Sequence, residues 1–363
     1  MNKNFLIPNT ITLDQTALIS KLRTGILIAL TLIGLYYLAL FTWGVVPKPK
    51  EGSTAEQRFK VLPKSGVSSI AKQLQDQGMS SPAWLFQVGA RSLWVGSKLK
   101  PGTYAFPANA SLGSVLLQMA RGDRIRESVK IIPGMSIWQV RAAMEAHPAV
   151  TLQSNRLDPS QFVKAVGLDA ESAEGYFLPD TYIFDPDEID LVIYKRALAA
   201  MQKQLAGAWD LYTKANPEGG VLKSPYQLLI LASIVEKETG QASERGMISA
   251  VFQNRLKKGM MLQTDPTVIY GIGPKFDGDI KKSDLRRDTP YNTYMRYGLP
   301  PTPIAMPSKE SLLAAAQPAV SNALYFVARG DGSSQFSTNL KEHEAAVDRY
   351  QRNLAKSASK PAR

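Results

Sequence analysis

The strongest constraint on what this chain can fold into is one uncharged stretch. From Thr24 to Pro47 there is no Asp, Glu, Lys or Arg, and the run GILIALTLIGLYYLALFTWGVV (Gly25–Val46) is almost wholly apolar. About 20 apolar residues in a helix cross the hydrocarbon of a bilayer, so the stretch predicts a transmembrane helix over 24–46. Tyr36, Tyr37 and Trp43 are residue types suited to a membrane interface, although the two tyrosines fall near the middle of the run. The competing reading is a cleaved signal peptide. It calls for a shorter apolar core and an A-x-A cleavage pattern, and the run offers neither. Lys3, Lys21 and Arg23 precede the run, and Lys48 and Lys50 follow it. This slight bias predicts a cytoplasmic N-terminus (1–23), a single pass, and the remaining bulk outside the cytoplasm.

After the span, PKPKEGSTAEQ (Pro47–Gln57) reads as a polar linker, placed at 47–56. FKVLPKSGVSSIAKQLQDQG follows. Its alternating apolar residues predict a strand, and Val67, Ile70, Ala71 and Leu74 then recur at helical spacing until Gly78. A similar unit, VKIIPGMSIWQVRAAM, returns at one fixed offset: Lys60 matches Lys130, Val61 Ile131, Pro63 Pro133, Val67 Ile137, Ile70 Val140 and Leu74 Met144. Between them, LKPGTYAF predicts a turn and strand, and SLGSVLLQMARGD a helix ending at Gly122. From about Ala146 the pattern becomes helices separated by long segments containing Pro and Gly. GLPPTPIAMPSKES must be largely extended, because each proline restrains itself and its predecessor. ALYFVARGDGSSQFSTNL predicts a hairpin turning at Asp331–Gly332. The expected architecture is α+β, with a small module at 57–145, a helix-rich domain at 146–352 and a frayed tail at 353–363.

Composition limits the chemistry. There are no cysteines, which removes disulfides, thiol nucleophiles and thiolate metal sites. Only two histidines are present, His147 before a proline at a helix end and His343 on a surface helix, so a multi-histidine metal site is impossible. No metal or cofactor is expected. The formal net charge is +12, but Lys and Arg are spread along the chain without interleaved aromatics, which does not favour nucleic acid. Catalysis must lean on carboxylates, hydroxyls, amides and lysines.

Carboxylates stand out at the end of SPYQLLILASIVEKETG. Ser224 and Pro225 form an N-cap and first-turn pair. The apolar residues from Leu228 to Val235 cover nearly the whole circumference, so the helix is buried. It nevertheless ends in Glu236 and Glu238. At ~100° per residue these point roughly 200° apart, so only one can enter a given cleft, and the spacing does not say which. The helix dipole and apolar surroundings both disfavour a charge here, which predicts a raised pKa suited to a general acid. Three further segments add polar and aromatic groups: MLQTDPTVIYGIG with Gln263, Thr264 and Asp265; TPYNTYMRYGLPP with Tyr291 and Asn292; and EGYFLPDTYIF with Asp180 and Thr181. Each alone also fits plain packing.

Together, ASIVEKET, LQTDPTVIYG, YNTY, GLPP and YFVARGDGSSQFSTNL closely resemble the YceG-like (MltG) family of endolytic murein transglycosylases. The resemblance covers the anchor and nearly everything from Phe59 to about Tyr350. Local departures are the missing glutamate after the proline of IIPGMS, and Thr302 and Met306 in PPTPIAMP. The resemblance implies a LysM-like module after the anchor and a lytic-transglycosylase-like catalytic domain. Lytic transglycosylases carry a glutamate followed by Ser or Thr at the end of a buried helix, and a Tyr-Asn motif. Glu238–Thr239 and Tyr291–Asn292 match both. Glu238 is therefore the expected catalytic residue with Glu236 in reserve, and Gln263, Thr264, Asp265, Tyr291 and Asn292 are the expected substrate-binding residues.

The implied substrate is the peptidoglycan glycan strand, cut beside cell-wall synthases (penicillin-binding proteins) at the bacterial inner membrane. In the implied reaction one glutamate acts first as acid and then as base, while the muramyl 6-hydroxyl supplies the nucleophile. Most glycosidases need two carboxyls, so one suffices here only because the substrate closes on itself. The alternatives are a hydrolytic muramidase assisted by Asp265 or Asp180, and a non-catalytic, membrane-anchored cell-wall scaffold.

Overall fold

The computed structural model describes residues 15–47 and 56–352. Residues 1–14, 48–55 and 353–363, which hold most of the expected cytoplasmic segment, most of the expected linker and the expected tail, lie outside the described residues. The chain divides into two compact units, with the boundary between Arg126 and Glu127.

The first unit opens with helix α1 (Gln15–Thr42), which is long and apolar enough to cross a membrane. It stops short of the expected Val46. Gly44 forms a β-bridge with Ser111, the Val45 amide donates to the Ala110 carbonyl, and Val45 and Val46 turn into a core. That core belongs to β1 (Gln57–Val61), α2 (Val67–Asp76), α3 (Ala83–Ser92), β2 (Gly102–Phe106) and α4 (Leu112–Arg121). β1 pairs antiparallel with β2, with Phe59 opposite Tyr104. Leu40, Val45 and Val46 are buried together with Phe59, Tyr104, Phe106 and Leu116. The last turns of α1 approach α3 and α4 closely because two facing positions lack side chains. A Cβ on Gly113 would lie 2.6 Å from the Phe41 ring, and one on Gly89 3.2 Å from Leu40.

The second unit begins by repeating the first. β3 (Glu127–Ile131) and α5 (Ile137–Glu145) reproduce β1 and α2 at the offset read from the sequence. The likeness extends further: β5 (Asp180–Phe184) pairs antiparallel with β3 as β2 does with β1. Pro101-Gly-Thr-Tyr-Ala-Phe and Pro179-Asp-Thr-Tyr-Ile-Phe occupy the same place in the two pairs. In both, the tyrosine hydroxyl donates to the carbonyl four residues earlier, Tyr104 to Lys100 at 2.7 Å and Tyr182 to Leu178 at 2.6 Å. The two copies fall on opposite sides of the division between the units. Inserted within the second copy are β4 (Val150–Thr151) and α6 (Pro159–Val166); β6 (Glu188–Ile189) follows it and pairs parallel with β4.

The rest is helical. α7 (Asp190–Ala215) leads to α8 (Pro225–Glu238), α9 (Arg245–Lys257), α10 (Asp265–Ile272), the short α11 (Lys282–Arg286) and α12 (Lys309–Ala316). The predicted hairpin is β7 (Tyr325–Ala328) with β8 (Ser334–Ser337), and α13 (Leu340–Val347) packs against it. Of the stretch expected to be largely extended, 298–308 contains no regular element but bends repeatedly, and 309–311 open α12. α8 is the axis of this unit: Leu228 to Val235 are all buried, enclosed by α7, α9 and α12. A separate core unites β3, β5, α5, α6 and the first half of α7.

Candidate active site

The end of α8 is fixed before any chemistry is considered. Ser224 Oγ accepts from the Gln227 amide at 3.2 Å, and Pro225 occupies the first turn, so the helix starts where the sequence indicates. Eight successive buried residues hold its rotation, and Thr239 leaves it in an extended conformation. Rotation then separates the two glutamates.

Glu236 turns to α12. Its Oε2 accepts from the Ser308 amide at 2.8 Å, from the Ser308 hydroxyl, and from Ser311 Oγ at 2.7 Å. Its Oε1 lies 3.8 Å from Arg245 Nη2, and the side chain is 6% exposed. Glu236 thus closes the N-terminus of α12, where Ser308 is itself the cap.

Glu238 turns the other way, into a cleft of 610 Å³ between the start of α10 on one side and β7 with α13 on the other. The Thr264 hydroxyl donates to its Oε1. The carboxyl is raised to about 7, chiefly because burial disfavours its charge. The negative Asp265 adds to that effect, while the Thr264 hydrogen bond and the Arg255 charge oppose it.

Thr264 is held by a knot of hydroxyls. Its amide accepts nothing but donates to Thr293 Oγ1 at 3.1 Å, its carbonyl accepts from Thr267 Oγ1 at 2.8 Å, and Thr267 and Thr293 hydroxyls meet at 2.9 Å. Gln263, just before it, is in the left-handed region at φ 52, where a non-glycine residue needs its neighbours to hold it. The Gln263 amide supplies part of that hold by donating to the Thr293 carbonyl at 3.1 Å. Asp265 accepts from the Tyr294 hydroxyl at 2.6 Å.

Arg255 closes the floor. Its guanidinium donates to the carbonyls of Leu324 at 2.7 Å and Leu262 at 2.8 Å, and lies 5.0 Å from the centre of the Tyr325 ring. Tyr325 in turn stacks on His343, ring centres 5.1 Å apart. Burial and the nearby Arg255 charge pull the His343 pKa below its ordinary value, and its Nδ1 is buried without a hydrogen bond.

The structure therefore brings Glu238, Gln263, Thr264 and Asp265 to one cleft. It does not bring the Tyr-Asn pair there. Asn292 is 1% exposed, and its amide donates to the carbonyls of Asp284, Leu285 and Arg287 while its Oδ1 accepts from the Tyr294 amide. With both ends of the amide engaged, Asn292 shapes the loop that carries Thr293 and Tyr294. Tyr291 lies against Tyr270, ring centres 4.9 Å apart, and its hydroxyl meets Thr302. Asp180 is exposed at the start of β5 and does not line the cleft. Reading the sequence missed Arg255, Tyr294, Tyr325 and His343 as cleft residues. It also missed Glu174, which is fully buried, accepts from the Ile137 amide and the Tyr270 hydroxyl, and is raised to about 7 by burial.

Chemically, the cleft offers one carboxyl that is half protonated near neutrality, a hydroxyl fixing one of its oxygens, a second carboxylate beside a tyrosine, and a buried cation. Among the described residues no group of His, Asp and Glu is arranged to hold a metal ion.

The profile of the YceG-like family matches residues 59–349. The endolytic murein transglycosylase of Bacillus subtilis (strain 168) is 34% identical over 316 residues, covering 82% of this chain and 82% of that protein. The endolytic murein transglycosylase of Streptococcus pneumoniae (strain D39) is 32% identical over 180 residues, which is 48% of this chain and 31% of that longer protein. Among solved structures, a yceG-like protein from Listeria monocytogenes superposes with a TM-score of 0.51 at 28% identity, covering 81% of this chain and 99% of its own.

Proposed function

The chain belongs to the YceG-like family, and from that premise we propose that it is a lytic transglycosylase that cuts peptidoglycan glycan strands endolytically, with Glu238 as its single catalytic carboxyl. The observation that carries the assignment is the division of the two glutamates. Glu236 is held by Ser308, Ser311 and Arg245, whereas Glu238 lies in the cleft with one oxygen bound by Thr264 and a pKa of about 7.

The Thr264 hydroxyl donates to Oε1, so the proton of neutral Glu238 sits on Oε2. From there it passes to the oxygen linking N-acetylmuramic acid to N-acetylglucosamine as the bond from that oxygen to the muramyl anomeric carbon breaks. The carboxylate then takes the proton of the muramyl 6-hydroxyl, whose oxygen bonds to the anomeric carbon. The product is a 1,6-anhydro end, no water is consumed, and Glu238 ends as it began. Gln263, Thr264 and Asp265 contact the sugar. Tyr291 and Asn292 act through the loop that holds Thr293 and Tyr294.

α1 is the single-pass anchor in the inner membrane, with the N-terminus cytoplasmic and the cleft outside the cytoplasm. Residues 57–145 serve as a LysM-like, wall-binding module and 146–352 as the catalytic domain, working beside penicillin-binding proteins. What supports the LysM-like reading is the β1–α2–α3–β2 unit within that stretch, whose strand–helix opening recurs at β3 and α5.

The test is mass analysis of fragments released from purified, peptide-free glycan strands. The proposal expects ends lighter by one water than hydrolytic ends, and no release by Glu238→Gln. Ends of hydrolytic mass would establish instead a muramidase, with Asp265 as the second carboxyl. Binding to sacculi without new ends would establish a scaffold.

A further inference from the structure

The anchor does not stop at the edge of the first unit; its last two turns run antiparallel along α3. Trp43 at its end and Trp84 at the start of α3 both line an apolar cavity of 470 Å³. One turn lower Leu40 packs at Gly89. Lower still, the Tyr36 hydroxyl meets Ser92 Oγ at 3.0 Å, and the Tyr37 hydroxyl donates to the Ser92 carbonyl at 3.2 Å. At 1.5 Å of rise per residue, Tyr36 lies about 10 Å along the anchor from Trp43. α3 therefore descends that distance beside a helix read as membrane-spanning.

Where the membrane ends follows from the charges. Lys21 and Arg23 are the last before the uncharged run. From Arg23, roughly 30 Å of helix reaches Trp43, which matches the hydrocarbon thickness of a bilayer. A boundary at Tyr36 would leave roughly 20 Å, draw the stems of Lys21 and Arg23 into hydrocarbon, and strand apolar residues in water. Those residues are Leu38 and Phe41, 60% and 44% exposed in the last two turns of α1. The boundary therefore lies near Trp43, and the C-terminal end of α3 lies below it.

The surface of α3 fits that depth. Trp84 and Val88, one turn apart, are 64% and 40% exposed, and Trp94, just past the helix, is 86% exposed. Trp94 also sits at φ 55, a left-handed conformation unfavourable for a bulky residue, and its ring is exposed. Arg91, exposed in the last turn, has a stem long enough to return its charge to the lipid phosphates.

We propose that the first unit is seated in the membrane that α1 crosses, with Trp84, Val88 and Trp94 inserted at the boundary between headgroups and acyl chains. Amphipathic surface helices bury their apolar faces about 5–10 Å deep, the depth that the Tyr36–Ser92 contact sets. This rests on α1 crossing a bilayer, and one experiment separates the two claims.

The absence of cysteine allows single labelled cysteines in the full chain. An environment-sensitive fluorophore is placed at Thr31→Cys, Val88→Cys, Trp94→Cys and the exposed Lys203→Cys. The protein is reconstituted into phosphatidylethanolamine–phosphatidylglycerol vesicles and quenched either by a nitroxide high on the lipid acyl chain or by aqueous iodide. The expected result is lipid quenching at Val88 and Trp94 several-fold stronger than at Lys203, with protection from iodide. If both behave like Lys203, the unit stands in water and the proposal falls. If both are shielded from lipid and iodide alike, a protein surface covers α3 and the proposal also falls. If the Thr31 probe is reached by aqueous iodide, the spanning reading itself is wrong. Should the Trp94 variant fail to fold, Val88 on the regular helix carries the same measurement.

Discussion

Glu236 and Glu238 stand two residues apart at one helix end, and their neighbours give them opposite properties. Three donors and an arginine hold Glu236, so its removal leaves Ser308, Ser311 and Arg245 without their acceptor. Glu236→Ala should cost about 2–4 kcal/mol, read as a lowered thermal midpoint, with cleavage persisting in whatever stays folded. Glu238 receives one hydrogen bond and is raised to about 7 by burial. An acid of that pKa is protonated below neutrality, so fragment release should fall about tenfold per pH unit above ~7. Asp265 contributes to the elevation. Asp265→Asn should therefore shift that alkaline limb to lower pH, which a pH–rate profile on purified strands would detect. An unmoved limb would show that another group titrates.

At the scale of elements, the loop between α10 and α12 is shaped by Asn292, whose amide gathers three carbonyls. Asn292→Ala should cost roughly 1–3 kcal/mol by urea unfolding, and it should lower kcat through misplacement of Thr293 and Thr264. A variant that unfolds normally but loses substrate affinity alone would place Asn292 in direct contact with sugar. Much at this scale was legible in the sequence. The all-round apolar face of α8, its Ser224–Pro225 start, the hairpin at Asp331–Gly332 and the first half of the repeat all rest on local periodicity and turn chemistry. The second half of the repeat escaped notice because α6 and its flanking loops shift Thr-Tyr-x-Phe to a different offset. Arg255 and His343 escaped because their meaning lies in partners far along the chain, Leu324 and Tyr325. Asn292 misled for the opposite reason: its motif was visible, but which way an amide faces depends on three loop carbonyls.

For the molecule as a whole, Glu174 couples folding to pH. Its carboxyl is raised to about 7 in the fold from an ordinary value of 4.5. The unfolded chain therefore gives up this proton first, and the contribution is fully present below about pH 4.5, declines towards ~7 and is flat above. The loss is roughly 3 kcal/mol at most. Urea midpoints across this range should fall with rising pH; Glu238, raised to the same value, contributes alike, so Glu174→Gln should remove about half of the fall.

The sharing of Leu40, Val45 and Val46 between anchor and module bears on how the chain is made. The core of the first unit is incomplete without those three residues, so on the proposal that α1 spans a bilayer, seating its end and closing that core form one event. An unrelated span substituted through residue 46 should still insert, yet leave the strand pair β1–β2 open to added protease until those three residues are restored.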